Sequence, residues 1–466
     1  MRNFNYSLIL IYVILCSCSA AIQNEAEVWL TDPARGILFQ QTENVVLSQN
    51  ETLTPTILIN DQIQYQEMEG FGFTLSQGSA MHLLGMDKEK RQELLKELFG
   101  DGANDINISY LRLSIAASDL NETVFSYHDI ENGQNDPELS KFDLGPDRED
   151  VIPILKEILE IYPDITLMGS PWSPPAWMKD NQDTRGGKLL PENYPAYALY
   201  FVRYIEQMAE EGIHIDAITV QNEPLHPGNN PSLLMLADEQ RDFVKNHLGP
   251  MFEEKGLKTK IILYDHNADR PDYPISIMDD AEVKKYVHGS AFHLYGGAIE
   301  ALSEVHQAHP DRHIYFTEQW IGAPGNLSGD LVWHTKNLTI GASRNWAKTV
   351  LEWNLSSNPQ LTPFTDRGGC SKCLGGVTID GNEVTRNPAY YILAHASKFV
   401  IPGSMRVDSN LAENLPNVAF LRPDGKVVVL ALNEGKEEME FTIRWKDNVG
   451  NFSLNTGAVA TIILDS

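Results

Sequence analysis

Thr219-Val220-Gln221-Asn222-Glu223-Pro224 is a short β-type run that delivers a glutamate, and Ile314-Tyr315-Phe316-Thr317-Glu318-Gln319 repeats the pattern. A strand with a carboxylate at its C-terminal tip is how an α/β barrel assembles a site, because all eight tips converge on one face. A lone glutamate there is more often a solvated strand end, but two in matching contexts argue for a shared task. Working outward, the candidate strands, these two included, are 67–73, 109–114, 165–169, 217–221, 260–264, 290–294, 313–317 and 349–353. Amphipathic stretches lie between them at 88–98, 151–161, 194–211, 239–255 and 300–308, where apolar residues recur at helical spacing. Eight βα units in one run predict a (β/α)8 TIM barrel over residues 67–384, in preference to a doubly wound sheet. After residue 384 the pattern becomes strands and turns, apart from a helical stretch at 388–399. Residues 385–466 therefore read as a β-sandwich, joined by short β-runs from the N-terminal 27–66 segment.

The balance of 36 basic against 64 acidic residues gives a net charge of −28. A surface that acidic repels phosphate backbones and anionic membranes, so nucleic acid is excluded as a partner and a neutral substrate is expected. Residues 1–20 read as an export signal: Arg2 is followed by an apolar core, Leu8 to Leu15, too short to be a permanent membrane span. Leu15-Cys16-Ser17-Cys18 resembles a bacterial lipobox, which predicts lipidation at Cys18 and a periplasmic or outer-membrane-anchored lipoprotein. The alternative is a plain cleavable signal ending near Ala20-Ala21 and a secreted enzyme. Past the signal only Cys370 and Cys373 remain. Cys-x-x-Cys can be a redox pair, half a zinc site or a small disulfide loop. No second Cys or His pair is near, and export favours a local disulfide.

Glu223 and Glu318, at the tips of the fourth and seventh strands, fit the two carboxyls of a retaining glycosidase. These stand about 5–5.5 Å apart, one attacking the anomeric carbon while the other protonates the leaving oxygen. Asn222 beside Glu223 can hydrogen-bond a sugar 2-hydroxyl. Arg112, in Tyr110-Leu111-Arg112-Leu113-Ser114, can hold Glu318 charged or form a structural ion pair in the barrel mouth. Trp172 can offer a flat apolar face to a pyranose, Tyr295 can donate to the nucleophile, and Trp353 closes the eighth strand. No cofactor and no metal is implied.

Gly70-Phe71-Gly72, Ser170-Pro171-Trp172-Ser173-Pro174-Pro175-Ala176-Trp177-Met178-Lys179, Gln221-Asn222-Glu223-Pro224, His293-Leu294-Tyr295, Thr317-Glu318 and Trp353-Asn354-Leu355 together resemble the motifs of glycoside hydrolase family 30. That family holds glucosylceramidases and β-1,6-glucanases, and the resemblance covers nearly the whole chain after the signal. It implies a barrel with a side sandwich, Glu223 as acid/base and Glu318 as nucleophile. It also implies that Trp172, Asn222, His293, Tyr295 and Trp353 line the subsite of the cleaved sugar.

One stretch departs from the glucosylceramidase pattern. Where that pattern has an aspartate expected to grip distal glucose hydroxyls, this chain has Gln77, and the loop with Cys370 and Cys373 also differs. The expectation is therefore a β-1,6-glucanase, with a glucosylceramidase or exo-β-glucosidase of the same mechanism as the alternative. A catalytically silent glycan-binding lipoprotein would keep the aromatics but needs neither glutamate.

Overall fold

The computed structural model describes residues 24–48, 55–131 and 133–465, so the signal and Cys18 lie outside the described residues. Eight parallel strands close into a barrel. In chain order they are β1 (Gly70–Leu75), β2 (Tyr110–Ile115), β3 (Thr166–Pro171), β4 (Ala217–Thr219), β5 (Lys260–Ala268), β6 (Val287–Gly297), β7 (His313–Glu318) and β8 (Ala347–Asn354). β8 returns to β1 through the register Thr349↔Gly70 and Val350↔Phe71. The first strand begins later than its apolar run suggests. Glu67 ends a sandwich strand, Thr56–Glu67, and the chain turns into the barrel at Gly70, whose φ of +149° is open to glycine.

The strand period of two explains how the barrel positions its chemistry. Tyr110, Met168, Ala217, Ile262, Ala291, Tyr315 and Leu351 point inward and form a buried layer across the barrel's middle. Two residues further along six of those strands stand Arg112, Ser170, Thr219, His293, Thr317 and Trp353, every one of them buried. The apolar layer thus serves as a floor for a polar layer above it. Filling that floor stabilises the barrel by about 1.5–3 kcal/mol for each large apolar side chain. In β5 the alternation breaks, because Tyr264 (φ 70°) and Asp265 (φ 68°) both adopt left-handed backbone. This bulge sends Tyr264 into the outer core and brings Asp265 inward in its place.

The stretch at 239–255 is not one helix. Ala237–Phe243 passes into a π-helical turn, Val244–Leu248, before Gly249–Lys255. Pro250 lacks the N–H that an uninterrupted α-ladder would need there.

Beside the barrel, ten strands form one hydrogen-bonded network around its own apolar core. Thr56–Glu67 from the N-terminal side pairs parallel with Met439–Trp445 and antiparallel with Met405–Ser409. Glu25–Asp32 pairs with the final strand, Val459–Leu464. Both ends of the chain therefore build this second unit.

Candidate active site

The polar layer is organised by two fully buried charges, Arg112 and Asp265. The Arg112 guanidinium donates through Nη1 to Glu318 Oε2 at 2.6 Å, and through Nη2 to Asp265 Oδ2 and Asn222 Oδ1, both at 2.7 Å. Asp265 also accepts from Ser170 Oγ (2.7 Å), Thr219 Oγ1 (2.7 Å), Thr317 Oγ1 (2.6 Å) and His293 Nε2 (3.1 Å). Burial pushes the Asp265 carboxyl up, but Arg112 and His293 outweigh it and hold it well below the usual carboxylate range.

His293 links this network to both glutamates. Its Nδ1 lies 3.2 Å from Glu223 Oε1 and 3.8 Å from Glu318 Oε1. Burial lowers the imidazole's pKa, yet Glu318, Asp265 and Glu223 together raise it to about 9. It is therefore an imidazolium at neutral pH, with both nitrogens donating to acids. Glu223, His293 and Glu318 each offer an atom within 4.8 Å of the others. With both imidazole nitrogens engaged as donors, His293 offers no lone pair to a cation.

The two glutamates differ in their surroundings. Glu318 accepts from Arg112 on Oε2 and from Tyr295 Oη on Oε1 at 3.0 Å, so both its oxygens are occupied by donors. Glu223 accepts from His293 on Oε1 and has no partner on Oε2 among the described residues. Burial raises the carboxyl of Glu318 despite His293 and Arg112, and it also raises that of Glu223, where the His293 hydrogen bond and charge more than reverse it. The pair shares one imidazolium, so its ionisation belongs to the couple. A proton on Glu318 would have to displace a donor, whereas Glu223 keeps an open oxygen. We therefore assign the proton of the couple to Glu223. Its backbone is also unusual: φ is 46°, and its N–H donates to the Asp265 carbonyl at 3.0 Å. A non-glycine residue held there stores of order 1–3 kcal/mol of strain, supported by its neighbours.

Above these groups opens a cavity of about 420 Å³, lined among others by Trp172, Asn222, Glu223, Tyr295, Glu318 and Trp353. Matching the sequence against known families gives the Glycosyl hydrolase family 30 TIM-barrel domain over residues 68–400 and the Glycosyl hydrolase family 30 beta sandwich domain over 403–462. The chain belongs to glycosyl hydrolase family 30. It is 32% identical over 422 residues to an endo-1,6-beta-D-glucanase of Aspergillus fumigatus, covering 84% of each chain. It is 28% identical over 482 residues to the lysosomal acid glucosylceramidase of Mus musculus, covering 95% of this chain and 90% of that one. Among solved structures it is similar to an endo-beta1,6-glucanase at a TM-score of 0.88 and 33% identity, covering 95% of this chain and all of that one.

Within this family 30 barrel, Arg112, Trp172, Asn222, His293, Tyr295 and Trp353 converge with the two glutamates. The tryptophans are more enclosed than a sugar platform requires: Trp172 is 1% exposed and Trp353 4%. The Arg112 guanidinium lies 4.9 and 5.8 Å from their ring centres. Gln77 is not part of the site. Ser76 caps the helix that Gln77 begins, and the Gln77 side chain turns away from the cavity, donating to Asp150 Oδ2 and accepting from Asn121 Nδ2, both at 2.9 Å. It braces the loop on which another residue, Asp119, reaches the cavity. Asp119 Oδ1 has no partner among the described residues, and burial together with Glu318 and Glu223 raises its carboxyl to about 8. Cys370 and Cys373 form a disulfide, and both line the cavity.

Asp265, Asp119, His266 and Trp320 also belong to the site and were not singled out in the sequence. Asp265 carried the signal that marked the glutamates, an acid ending the apolar run Ile261-Ile262-Leu263-Tyr264. His266 lines the cavity as a neutral imidazole, burial pushing its pKa down to about 4.

Proposed function

We propose that this chain is a retaining endo-β-glycosidase acting on β-1,6-glucan, with Glu318 as nucleophile and Glu223 as acid/base. The observation that carries the assignment is the asymmetry between the two carboxyls: Glu318 is caged by Arg112 and Tyr295, while Glu223 keeps a free oxygen. One oxygen of Glu223 and one of Glu318 lie within 4.8 Å of each other, in keeping with the close carboxyl pair of a retaining site. In the first step Glu318 attacks the anomeric carbon, and the bond to the glycosidic oxygen breaks as that oxygen takes the Glu223 proton. Water, deprotonated by Glu223, then attacks the same carbon and releases Glu318. Asn222, fixed through its Oδ1 by Arg112, presents its amide N–H to the sugar's 2-hydroxyl, where a bond strengthens as positive charge develops. Asp119, its carboxyl raised to about 8, adds a carboxyl that can both donate to and accept from another hydroxyl of the same ring.

The choice of β-1,6-glucan rests on relatives. Three named endo-1,6-beta-D-glucanases stand at 31–33% identity, against 26–29% for those named glucosylceramidases. Export fits a polymer substrate, and Cys18 remains our proposed lipid anchor, with Cys18→Ala expected to release the enzyme from the membrane fraction. Incubation with pustulan, a β-1,6-glucan, should yield short β-1,6-oligosaccharides. Ceramide release from glucosylceramide with pustulan left intact would overturn the substrate. Glu318→Gln should lower turnover on any substrate by about 10⁴-fold or more, and full activity in that variant would sink the mechanism.

A further inference from the structure

The cavity has a third tryptophan that the chemistry above does not use. Trp172 and Trp353 are nearly enclosed, but Trp320, two residues past Glu318, lines the cavity half-buried. Its ring is held from beneath and from the side. A Cβ at Gly322 would lie 3.3 Å from Cη2 and Cζ3 of the ring, so the backbone there is close to the indole. Trp320 and Cys370 also pack together on the small buried cluster of Leu120, Trp172, Trp353 and Cys373.

The disulfide loop is strapped in place from both sides. Ile321–Gly322 pairs antiparallel with Cys373–Leu374, and the Ala323 N–H donates to the Lys372 carbonyl at 2.8 Å. Ahead of the disulfide, Thr365 Oγ1 donates to the Asn230 carbonyl, and Asn230 Nδ2 donates to Asp366 Oδ1 at 2.8 Å. A Cβ on Gly368 would come within 2.5 Å of the Gly228 carbonyl oxygen, so the two loops touch through backbone. The loop after Glu223 and the loop after Glu318 are thus joined through the segment 365–374.

We propose that Trp320, backed by the Cys370–Cys373 strap, is the platform for a second glucosyl residue next to the one being cleaved, and so a specificity-determining residue for polymer over single glucosides. A partly exposed indole fits the apolar C–H face of a pyranose, and the cavity, at about 420 Å³, has the size of sites that take ligands larger than one hexose. This inference rests on the glucanase reading, and the experiment separates the two. Labelling with 2-deoxy-2-fluoro-β-glucosyl fluoride occupies only the cleaved-sugar subsite and reports on Glu318. Pustulan hydrolysis reports on both subsites.

Trp320→Ala should raise the KM for pustulan about tenfold, the loss of one ring face, while the labelling rate falls by a much smaller factor. Trp320→Phe should recover most of the affinity. The paired Cys370→Ser/Cys373→Ser variant should move KM in the same direction by less. If wild-type Glu318 takes no label, the glycosidase reading fails. If labelling proceeds and Trp320→Ala leaves the pustulan KM unchanged, this inference alone fails. A parallel fall of labelling and hydrolysis would make Trp320 structural and overturn it as well.

Discussion

The two ends of the barrel both bury a charge cluster, and they do so to opposite purpose. At the lower end Glu69 Oε1 takes Lys260 Nζ at 3.1 Å, Lys348 Nζ at 3.0 Å and Tyr315 Oη at 3.3 Å. One acid meets two partly solvated cations. At the upper end Asp119, Glu223, Asp265 and Glu318 face only Arg112 and His293 as buried cations. With Asp119 raised to about 8 and the couple's proton on Glu223, Arg112 and His293 balance Asp265 and Glu318, so the cluster holds two protonated acids beside an open cavity, and its backbone is strained at Glu223 and Asp265. The same strands supply both ends, separated by one apolar layer. Burial of charge alone therefore does not mark a site. What marks it is acids in excess of cations beside empty space, so that a proton is there to give to a leaving oxygen.

The sharpest way to break this contrast is at Glu223. Glu223→Gln should lower turnover on glucan by about 10²–10⁴-fold, the range for a lost general acid. A substrate with an activated leaving group should lose far less in the first step, which burst kinetics would show. Equal losses on both substrates would mean that Glu223 is not the proton donor. Next in size is Asp265→Asn, which leaves Arg112 and His293 short of a charged partner. We expect about 3 kcal/mol lower stability in urea unfolding, the low end for breaking a buried pair, together with a fall in kcat. An unchanged kcat would reduce Asp265 to a purely structural anchor.

Much of this was legible in the sequence, for reasons that the residues themselves show. Glu223 and Glu318 were visible because each ends an apolar run, and such runs survive reading without coordinates. Asp265 ended a similar run and was passed over, because its role depends on the bulge at Tyr264 that turns it inward, and a left-handed residue leaves no mark in periodicity. Asp119 sits in a loop past the end of β2, where no period applies. Gln77 misled for a related reason: its place in a motif says nothing about the direction of its side chain, which the helix cap at Ser76 determines. Strand order and tip residues follow from pattern, but helix breaks such as the π-turn at Val244–Leu248 and side-chain direction at bulges and caps do not.

The pH dependence of the upper cluster gives a smaller effect. His293 is raised to about 9 when folded, from an ordinary value near 6.5. A group raised on folding contributes stability in full below its unfolded value and loses it as pH rises through the folded one. Stability should therefore fall on the alkaline side through about pH 9, and activity with it, as the imidazolium that bridges the glutamates loses its proton. In His293→Gln, whose amide does not titrate, the residual activity should lack that limb. A limb kept at the same pH in the variant would assign it to another group.

The smallest expected effect falls at the lower end, and there the sign reverses. Burial raises the Glu69 carboxyl, but Lys260 and Lys348 outweigh it and hold its pKa below the ordinary value. A group depressed on folding contributes stability above its unfolded value, near 4.3, and loses it as pH falls through the folded one. Glu69→Gln should therefore cost about 1–3 kcal/mol at pH 7, because two lysines lose their shared partner, and the penalty should fade as the pH is taken below about 4. Glucan turnover should stay at the wild-type level, since the apolar layer of Tyr110, Met168 and their neighbours separates Glu69 from the cavity. Thermal unfolding from pH 3 to 8, run beside a pustulan assay, measures both. A variant that unfolds normally but loses turnover would show that charge is transmitted through that layer, and the two ends of the barrel would have to be treated as one electrostatic unit.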